Sequence, residues 1–151
     1  WLFSGTLRDN VAMGQDDCSE EQVINCLKAA GADFMGDGTG GELDFFIQDQ
    51  GSNLSGGQKQ AVMMARALAF KPDVYLFDEP TSAMDGLTEA QVIAHLTSHL
   101  AGKTLLIVTH KMPVVDMCDR VLVMDQGKIV GDGSKESYFE ILKKRSEQRQ
   151  N

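Results

Sequence analysis

Four consecutive apolar residues, Val74 to Phe77, run directly into two adjacent acids, Asp78 and Glu79. So short and uniformly apolar a run predicts a strand buried on both faces of a parallel sheet. Ligands of open α/β sheets lie at the carboxyl ends of the strands, so both carboxylates are expected at an active site. Asp78 suits Mg²⁺ and Glu79 suits the polarisation of a water. The alternative for the acids alone is a solvated turn.

Upstream of this strand, the residues from Leu54 onward spell Leu-Ser-Gly-Gly-Gln and begin a predicted helix. Ser55 offers a hydroxyl, and Gly56 and Gly57 leave the main chain accessible to a ligand. The first amides of a helix and the positive end of its dipole favour an anion, so Ser55 to Gln58 form a candidate phosphate site. A serine cap followed by flexible glycines is the alternative.

Two further polar residues follow predicted elements. His110 comes after the apolar run Thr104 to Thr109, a second strand expected to be buried on both faces, so its imidazole should emerge beside the acids and could contact a γ-phosphate. An ordinary surface histidine is the alternative. Asp85 follows the turn after the acids and could cap the next helix or bridge to a partner subunit.

Helices and strands alternate along the chain. The patterns predict helices over Ser19–Ala30, with Gln22 completing a capping box, and over Gly57–Phe70, Thr88–Ala101 and Lys135–Arg145. The positions expected in the core are Ala61, Met64, Ala65 and Leu68 on the second of these helices and Val92, Leu96 and Leu100 on the third. They predict strands over Val74–Phe77, Thr104–Thr109 and Val121–Met124, the last also buried on both faces, a hairpin continuing through Lys128–Val130, and a loop over Gly36–Gly41. This order indicates an α/β domain with a mainly parallel sheet and flanking helices.

Composition excludes several classes of function. Fourteen basic and twenty-two acidic residues give a net charge of -8, so nucleic acid is not an expected partner. Cys18, Cys26 and Cys118 are widely spaced and odd in number, which fits reduced cytosolic thiols better than a disulfide framework or a zinc site. No apolar run is long enough to cross a bilayer, so direct membrane insertion of this segment is not expected.

Three motif-like patterns carry no expected function. Gly102-Lys103-Thr104 resembles the end of a phosphate loop but precedes a strand, where a phosphate loop must follow one. The glycines at 36, 38 and 41 have dinucleotide-loop spacing without the strand and helix that such a loop needs. His95 and His99 are four residues apart on a helix but have no evident third ligand, so a solvated pair is expected.

Three segments resemble motifs of the ATP-binding cassette (ABC) family. Leu54–Gln60 resembles its signature, Leu76–Asp85 its Walker B motif and D-loop, and Val108–His110 its H-loop. Trp1–Asn10 is similar to the segment after the Q-loop of exporters, most of all bacterial type I secretion ATPases. The resemblance implies a partial P-loop NTPase fold with an α-helical subdomain: 1–72 the helical and signature part, 73–133 the catalytic α/β part, and 134–151 a C-terminal helix and tail.

The resemblance also implies a site built by two subunits. In a head-to-tail dimer of nucleotide-binding domains, Asp78, Glu79 and His110 would serve the subunit's own ATP and Mg²⁺. Ser55, Gly56, Gly57 and Gln58 would reach the partner's ATP, with Asp85 near the interface. Hydrolysis would then drive the transmembrane domain of an exporter, at the cytoplasmic face of the bacterial inner membrane. Residues 1–46 would face that transmembrane domain.

One departure from the family pattern is large. The sequence contains no Gly-x-x-x-x-Gly-Lys-Ser/Thr phosphate loop, which the resemblance would place upstream of Trp1. We therefore expect a gap in the sheet and negligible ATPase activity from the 151 residues alone. Two alternatives keep part of the interpretation: a non-transport ABC ATPase of repair or translation, and a non-catalytic module that docks on another cassette.

Overall fold

The computed structural model describes residues 1–32 and 41–138, and the chain divides into two compact units, Trp1–Val108 and Thr109–Asn151. The described helices are α1 (Leu7–Ala12), α2 (Glu20–Ala29), α3 (Gly56–Ala69), α4 (Gly86–His99) and α5 (Met112–Val115), with 3-10 turns at Gly41–Asp44 and Asp49–Gly51. The described strands are β1 (Gly5–Thr6), β2 (Phe46–Ile47), β3 (Val74–Asp78), β4 (Thr104–Val108), β5 (Arg120–Asp125) and β6 (Lys128–Ser134). They form three two-stranded sheets, of which β3–β4 is parallel and β1–β2 and β5–β6 are antiparallel.

Helix α2 follows its prediction closely. Ser19 caps it, because the Ser19 hydroxyl accepts the Gln22 amide at 3.2 Å. The Gln22 side chain, however, donates to the carbonyl oxygen of Ala69 at 3.0 Å, at the end of α3, so only half of the predicted capping box forms. The helix ends before Gly31, which has a φ of 73° that favours glycine.

Helix α3 is the central element of the first unit and packs against α1 and α2. It begins at Gly56, one position before the predicted start, because Ser55 already serves as its cap. The four positions predicted for its core, Ala61, Met64, Ala65 and Leu68, are all buried. The 3.6-residue period therefore located the packed face correctly.

Arg66 on α3 holds the beginning of the chain. Its guanidinium donates to the carbonyl oxygen of Asn10 at 2.6 Å and to that of Trp1 at 2.8 Å, and a third bond reaches the Asn10 side chain at 3.1 Å. Asn10 is fully buried and donates in turn to the carbonyl oxygens of Phe3 and Thr6. This network fixes the first ten residues on the surface of α3.

The strands β3 and β4 are only half buried, so the prediction of strands covered on both faces is wrong. Tyr75 on one face is 4% exposed, whereas Leu76, Leu106 and Val108 on the other face are 72%, 51% and 59% exposed. Alternate residues of a strand point to opposite faces, and no element of the first unit within residues 1–32 and 41–108 covers this second face. The apolar residues of a strand show which of its faces favours burial, but they do not show whether another segment packs against that face.

Helix α4 begins at Gly86, earlier than the predicted Thr88, because Asp85 caps it. Its predicted apolar positions Val92, Leu96 and Leu100 are buried. The end of α2 lies against this helix: a β-carbon on Gly31 would be 2.5 Å from Val92 Cγ2. This close approach and the positive φ both require glycine at position 31.

The second unit contains the predicted hairpin. Strands β5 and β6 are joined by Gln126 and Gly127, whose φ angles of 46° and 74° match a two-residue type I′ turn. Leu122 and Met124 are exposed, so β5 is not the fully buried strand that its apolar run predicted. The residues of β5 alternate between exposed and half-buried, and no residue of β5 or β6 is fully buried.

Two sequence predictions fall partly beyond the described ranges. Residues 135–138 are helical, as expected for the start of the last helix, and the rest of that helix lies outside the described residues. The predicted loop over Gly36–Gly41 also lies outside them, apart from Gly41, which begins a 3-10 turn.

Candidate functional site

The start of α3 is an exposed and well-formed helix N-terminus. The Ser55 hydroxyl accepts the Gln58 amide at 3.2 Å, and Gln58 Oε1 accepts the Ser55 amide at 2.9 Å, which completes a capping box. Ser55 and Gly56 are exposed. A hydroxyl that accepts one bond still has its own proton to donate, so Ser55 remains able to bind an anion in front of the helix.

Gly56 and Gly57 have different surroundings. A β-carbon on Gly56 would be 3.7 Å from the β-carbon of Ala83, an ordinary contact, whereas one on Gly57 would lie 2.8 Å from the Ala83 carbonyl oxygen. Position 57 must therefore be glycine for the start of α3 to approach the turn that follows the acids. Gly57 thus has a structural requirement in addition to the ligand access expected from sequence.

Asp78 and Glu79 occupy the predicted end of β3. Asp78 is the last residue of the strand and is exposed, in register with Val108 of β4. Glu79 has a φ of 47°, in the left-handed region that non-glycine residues seldom adopt, and its amide donates to the carbonyl oxygen of Val108 at 2.8 Å. Strained backbone of this kind is common at functional sites.

Gln60 connects α3 to this acidic turn, and sequence reasoning missed it. Its Nε2 donates to the Glu79 carbonyl oxygen at 2.6 Å and to Ser82 Oγ at 3.2 Å, and its Oε1 accepts the Ala83 amide at 3.2 Å. Gln60 lies one helical turn before Met64, on the face already predicted to be buried. The sequence did contain a sign of this role, because Gln60 is a polar residue that continues the apolar face of α3.

A second polar pair holds the same turn from α4. Thr81 is 1% exposed and Glu89 is 8% exposed, and the Thr81 hydroxyl donates to Glu89 Oε1. Buried polar side chains of this kind are retained when they are hydrogen-bonded. The turn after Glu79 is thus anchored to α3 through Gln60 and to α4 through Glu89.

Asp85 caps α4, which was one of its two expected roles. Its carboxylate accepts the amides of Leu87 and Thr88 at 3.0 Å each and the Thr88 hydroxyl at 2.8 Å. The Thr88 amide and then its hydroxyl lower the pKa of the Asp85 carboxyl below its ordinary value, because both bonds favour the ionised form. The expected role of Asp85 at a subunit interface stays a prediction.

His110 belongs to the second unit and is exposed. The preceding Thr109 hydroxyl accepts the Lys111 amide at 3.1 Å, which shapes the chain around the histidine. That His110 shares a site with Asp78 and Glu79 stays a prediction.

Two of the three motif-like patterns that carry no expected function lie within the described residues, where they have structural contacts. Gly102, with a φ of 78°, ends the connection from α4 and Thr104 begins β4, while Lys103 pairs with Asp73 at 2.8 Å. His95 Nδ1 lies 3.2 Å from the carbonyl oxygen of Lys28. Within residues 1–32 and 41–138, no three histidine, cysteine or acidic side chains are grouped as metal ligands. The glycine-loop pattern at 36–41 falls mostly outside those ranges.

The helices of the described residues do not include one that is both long and apolar enough to span a membrane. The three cysteines are free: Cys18 and Cys26 are buried and Cys118 is half-buried. Burial, reinforced by the nearby Cys18, raises the pKa of the Cys26 thiol to about 11.

Comparison with known proteins identifies relatives of this arrangement. The family model described as ABC transporter matches residues 4–82. ABC transporter B family member 15 of Arabidopsis thaliana is 40% identical over 141 residues, which are 91% of this chain and 11% of the plant protein. Leukotoxin translocation ATP-binding protein LktB of Pasteurella haemolytica-like sp. (strain 5943B) is 37% identical over 133 residues, 87% of this chain and 19% of that protein.

A solved structure matches the fold as well as the sequence. The structure of a bacterial Atm1-family ABC exporter with ATP bound superimposes with a TM-score of 0.80 and 32% identity, over 95% of this chain and 26% of the exporter chain. This match gives the chain a partial P-loop NTPase fold, as the motifs predicted. The chain spans only a small part of each of these proteins.

Proposed function

The chain belongs to the ABC transporter family, and on that premise we propose that it forms the signature-to-H-loop part of the ATP-hydrolysing nucleotide-binding domain of an exporter. The observation that carries the proposal is the direct contact between two motifs of different roles. The exposed N-terminus of α3, with Ser55 as its cap, packs through Gly57 against the turn that follows Asp78 and Glu79. The proposed phosphate-binding N-terminus of α3 and the two acids are therefore held in a fixed position relative to each other.

The tip of α3 is proposed to bind the γ-phosphate of an ATP held by a second nucleotide-binding domain. The Ser55 hydroxyl and the amides of Gly56 and Gly57 supply donors, and the helix dipole adds positive potential. Gln58 keeps its Nε2 for donation while its Oε1 closes the capping box. Because this surface is preformed, ATP binding there requires little reorganisation.

The acids are proposed to serve the subunit's own nucleotide. Mg²⁺ is held in nucleotide sites by one or two carboxylates together with phosphates and waters, so the single exposed carboxylate of Asp78 fits that ion without a cage of protein ligands. When bound, the ion would neutralise charge that develops on the phosphates. Glu79 would orient and polarise the attacking water, and His110 would contact the γ-phosphate and help to hold that water.

The proposed assembly is a head-to-tail dimer of nucleotide-binding domains attached to a transmembrane domain. In it, residues 1–46 would face the transmembrane domain and Asp85 would lie near the dimer interface. The proposed location is the cytoplasmic face of a bacterial inner membrane. Similarity to a leukotoxin translocation protein supports the type I secretion class as the proposed subfamily. The division into 1–72, 73–133 and 134–151 is part of the same proposal.

The deciding experiment measures Mg-ATP hydrolysis by the complete nucleotide-binding domain that contains this sequence. Replacing Glu79 by Gln should reduce kcat by at least about a hundredfold, because an amide cannot accept a proton from water. Gln91→Ala is a matched control, since Gln91 is an exposed glutamine on α4. The 151-residue chain alone should show negligible hydrolysis and no tight ATP binding.

Each alternative gives a different outcome in this assay. Hydrolysis that is unaffected by Glu79→Gln would favour a non-catalytic module that docks on another cassette. Hydrolysis that depends on Glu79 in a protein without a transmembrane domain would favour a non-transport ABC ATPase. Tight ATP binding by the isolated chain would contradict the proposed division of the site between subunits.

A further inference from the structure

We propose that Gln60 is a positioning residue for Glu79: it fixes the backbone of this acid and joins it to the helix whose tip carries Ser55. The inference rests on the proposed function, because it assigns Gln60 a role in the same hydrolysis. Gln60 lies outside the residues that the resemblance implicates in nucleotide contact. Its position is established by hydrogen bonds from both polar atoms of its side-chain amide.

The backbone of Glu79 is held on both sides of its α-carbon. Its amide donates to Val108 at the end of β4, and its carbonyl oxygen accepts the Ser82 amide at 3.1 Å and Gln60 Nε2 at 2.6 Å. A carbonyl oxygen has two lone pairs, and these two bonds use both. The left-handed φ of 47° at Glu79 persists because the surroundings impose it, and Gln60 supplies the shortest of these bonds.

The chemistry of the Gln60 bonds requires an amide. Nε2 donates to the carbonyl oxygen of Glu79, while Oε1 accepts the amide of Ala83. A glutamate in this place would only accept, and a lysine would only donate. Glutamine therefore satisfies both ends of the turn at once, and a residue of the same length without the amide does not.

The two anchors of the turn make Glu79 sensitive to the position of α3. Thr81 ties the middle of the turn to Glu89 on α4, whereas Gln60 ties Glu79 and Ala83 to α3. If α3 moved relative to α4, the backbone between Glu79, which is bonded to α3, and Thr81, which is bonded to α4, would have to change its conformation. The Gln60 bonds would transmit any such displacement to the Glu79 backbone and so to the aim of its carboxylate.

The test compares variants in the complete nucleotide-binding domain. Gln60→Glu keeps the length and the acceptor for Ala83 but loses the donor to Glu79. We expect kcat to fall on the order of tenfold, because misplacing a catalytic group is costly, with the KM for ATP within about twofold of wild type. Gln60→Met, which removes the bonds to Glu79, Ser82 and Ala83, should lower kcat at least as much, and Gln91→Ala should leave it unchanged.

A structural readout accompanies the kinetics. In hydrogen exchange, the Ala83 amide should stay protected in Gln60→Glu and exchange faster in Gln60→Met, because only the first variant keeps its acceptor. A purely structural role for Gln60 would instead lower the melting temperature in proportion to the loss of kcat. Gln60→Met carries the test should Gln60→Glu fail to fold.

The outcomes separate this inference from the function on which it rests. Wild-type kcat in a folded Gln60→Glu or Gln60→Met protein, together with loss of activity in Glu79→Gln, would overturn the role of Gln60 alone. A wild-type domain that hydrolyses no ATP, or one whose hydrolysis survives Glu79→Gln, would overturn the proposed function and this inference with it. Loss of kcat with KM and melting temperature preserved is the supporting result.

Discussion

A β-carbon on Gly57 would lie 2.8 Å from the carbonyl oxygen of Ala83, closer than nonbonded atoms normally approach. The start of α3 and the turn after β3 therefore meet backbone to backbone, with no room for a side chain. Motifs that are separated in sequence depend on each other here for their geometry. The glycine has a packing role that is independent of any nucleotide.

Gly57→Ala should destabilise the chain by about 1–3 kcal/mol, because the new methyl group must displace the Ala83 carbonyl or the helix start. Alanine is ordinarily a better helix former than glycine, so helix propensity alone would predict that this substitution stabilises the chain. Gly86→Ala is the matched control: Gly86 begins α4, and a β-carbon added there would meet no other segment within 4 Å. Urea unfolding measures both, and equal or greater stability of Gly57→Ala would contradict the contact.

Arg66→Met should lower the free energy of unfolding by about 2–3 kcal/mol, because it leaves the buried carbonyl oxygen of Asn10 without its donor. Arg66→Lys should recover only part of this loss, since an ammonium cannot form the same fork. Arg8→Ala is the control: its ion pair with Glu20 is exposed, so its removal should cost less than about 1 kcal/mol. Urea unfolding again measures the difference, and comparable losses at Arg8 and Arg66 would disprove the network.

Asp85 gives a pH dependence of known sign. Its lowered pKa means that the native state favours the carboxylate more than the unfolded chain does. The resulting stability is present above the unfolded pKa of about 3.9 and is lost as the pH falls through the native pKa. The stability difference between wild type and Asp85→Asn, which keeps a capping oxygen, should therefore shrink as the pH is lowered from 7 to 3. A constant difference in urea unfolding would argue against the ionised cap.

Leu76→Thr should change the free energy of unfolding of the chain by less than about 0.5 kcal/mol, because Leu76 is on the exposed face of β3. Tyr75→Ala, one residue away on the covered face, should cost about 3 kcal/mol or more. The pair tests the one-sided burial directly. Similar losses at both positions, measured by urea unfolding, would mean that both faces are covered.

Local rules were sufficient for most helix ends and for the core of α3. Ser19, Ser55 and Asp85 each cap a helix through short-range bonds that depend only on neighbouring residues, and such bonds are encoded locally. The burial of Ala61 and Leu68 follows from the helical period in the same way. The positions of Asp78 and Glu79 at a strand end were also predictable, because a polar pair after an apolar run marks the end of the strand.

Long-range pairings were beyond the sequence. The Gln60 bonds to Glu79 and Ala83 join residues about twenty positions apart, and no local pattern states which carbonyl a glutamine will meet. The exposed face of β3 and β4 was mispredicted for a related reason, since burial depends on what packs against a strand. The φ of 47° at Glu79 likewise results from bonds with other segments.

Gln22 has a mechanical consequence. Its amide donates to the last turn of α3 through Ala69 and accepts Lys71 Nζ at 2.9 Å, while its backbone lies in the first turn of α2. The Gln22 side chain therefore connects the start of α2 to the end of α3. Arg66 connects the first ten residues to α3 in the same way. A rotation of α2 or of the first ten residues would therefore turn α3 with it and displace the opposite end of α3, where Ser55 lies.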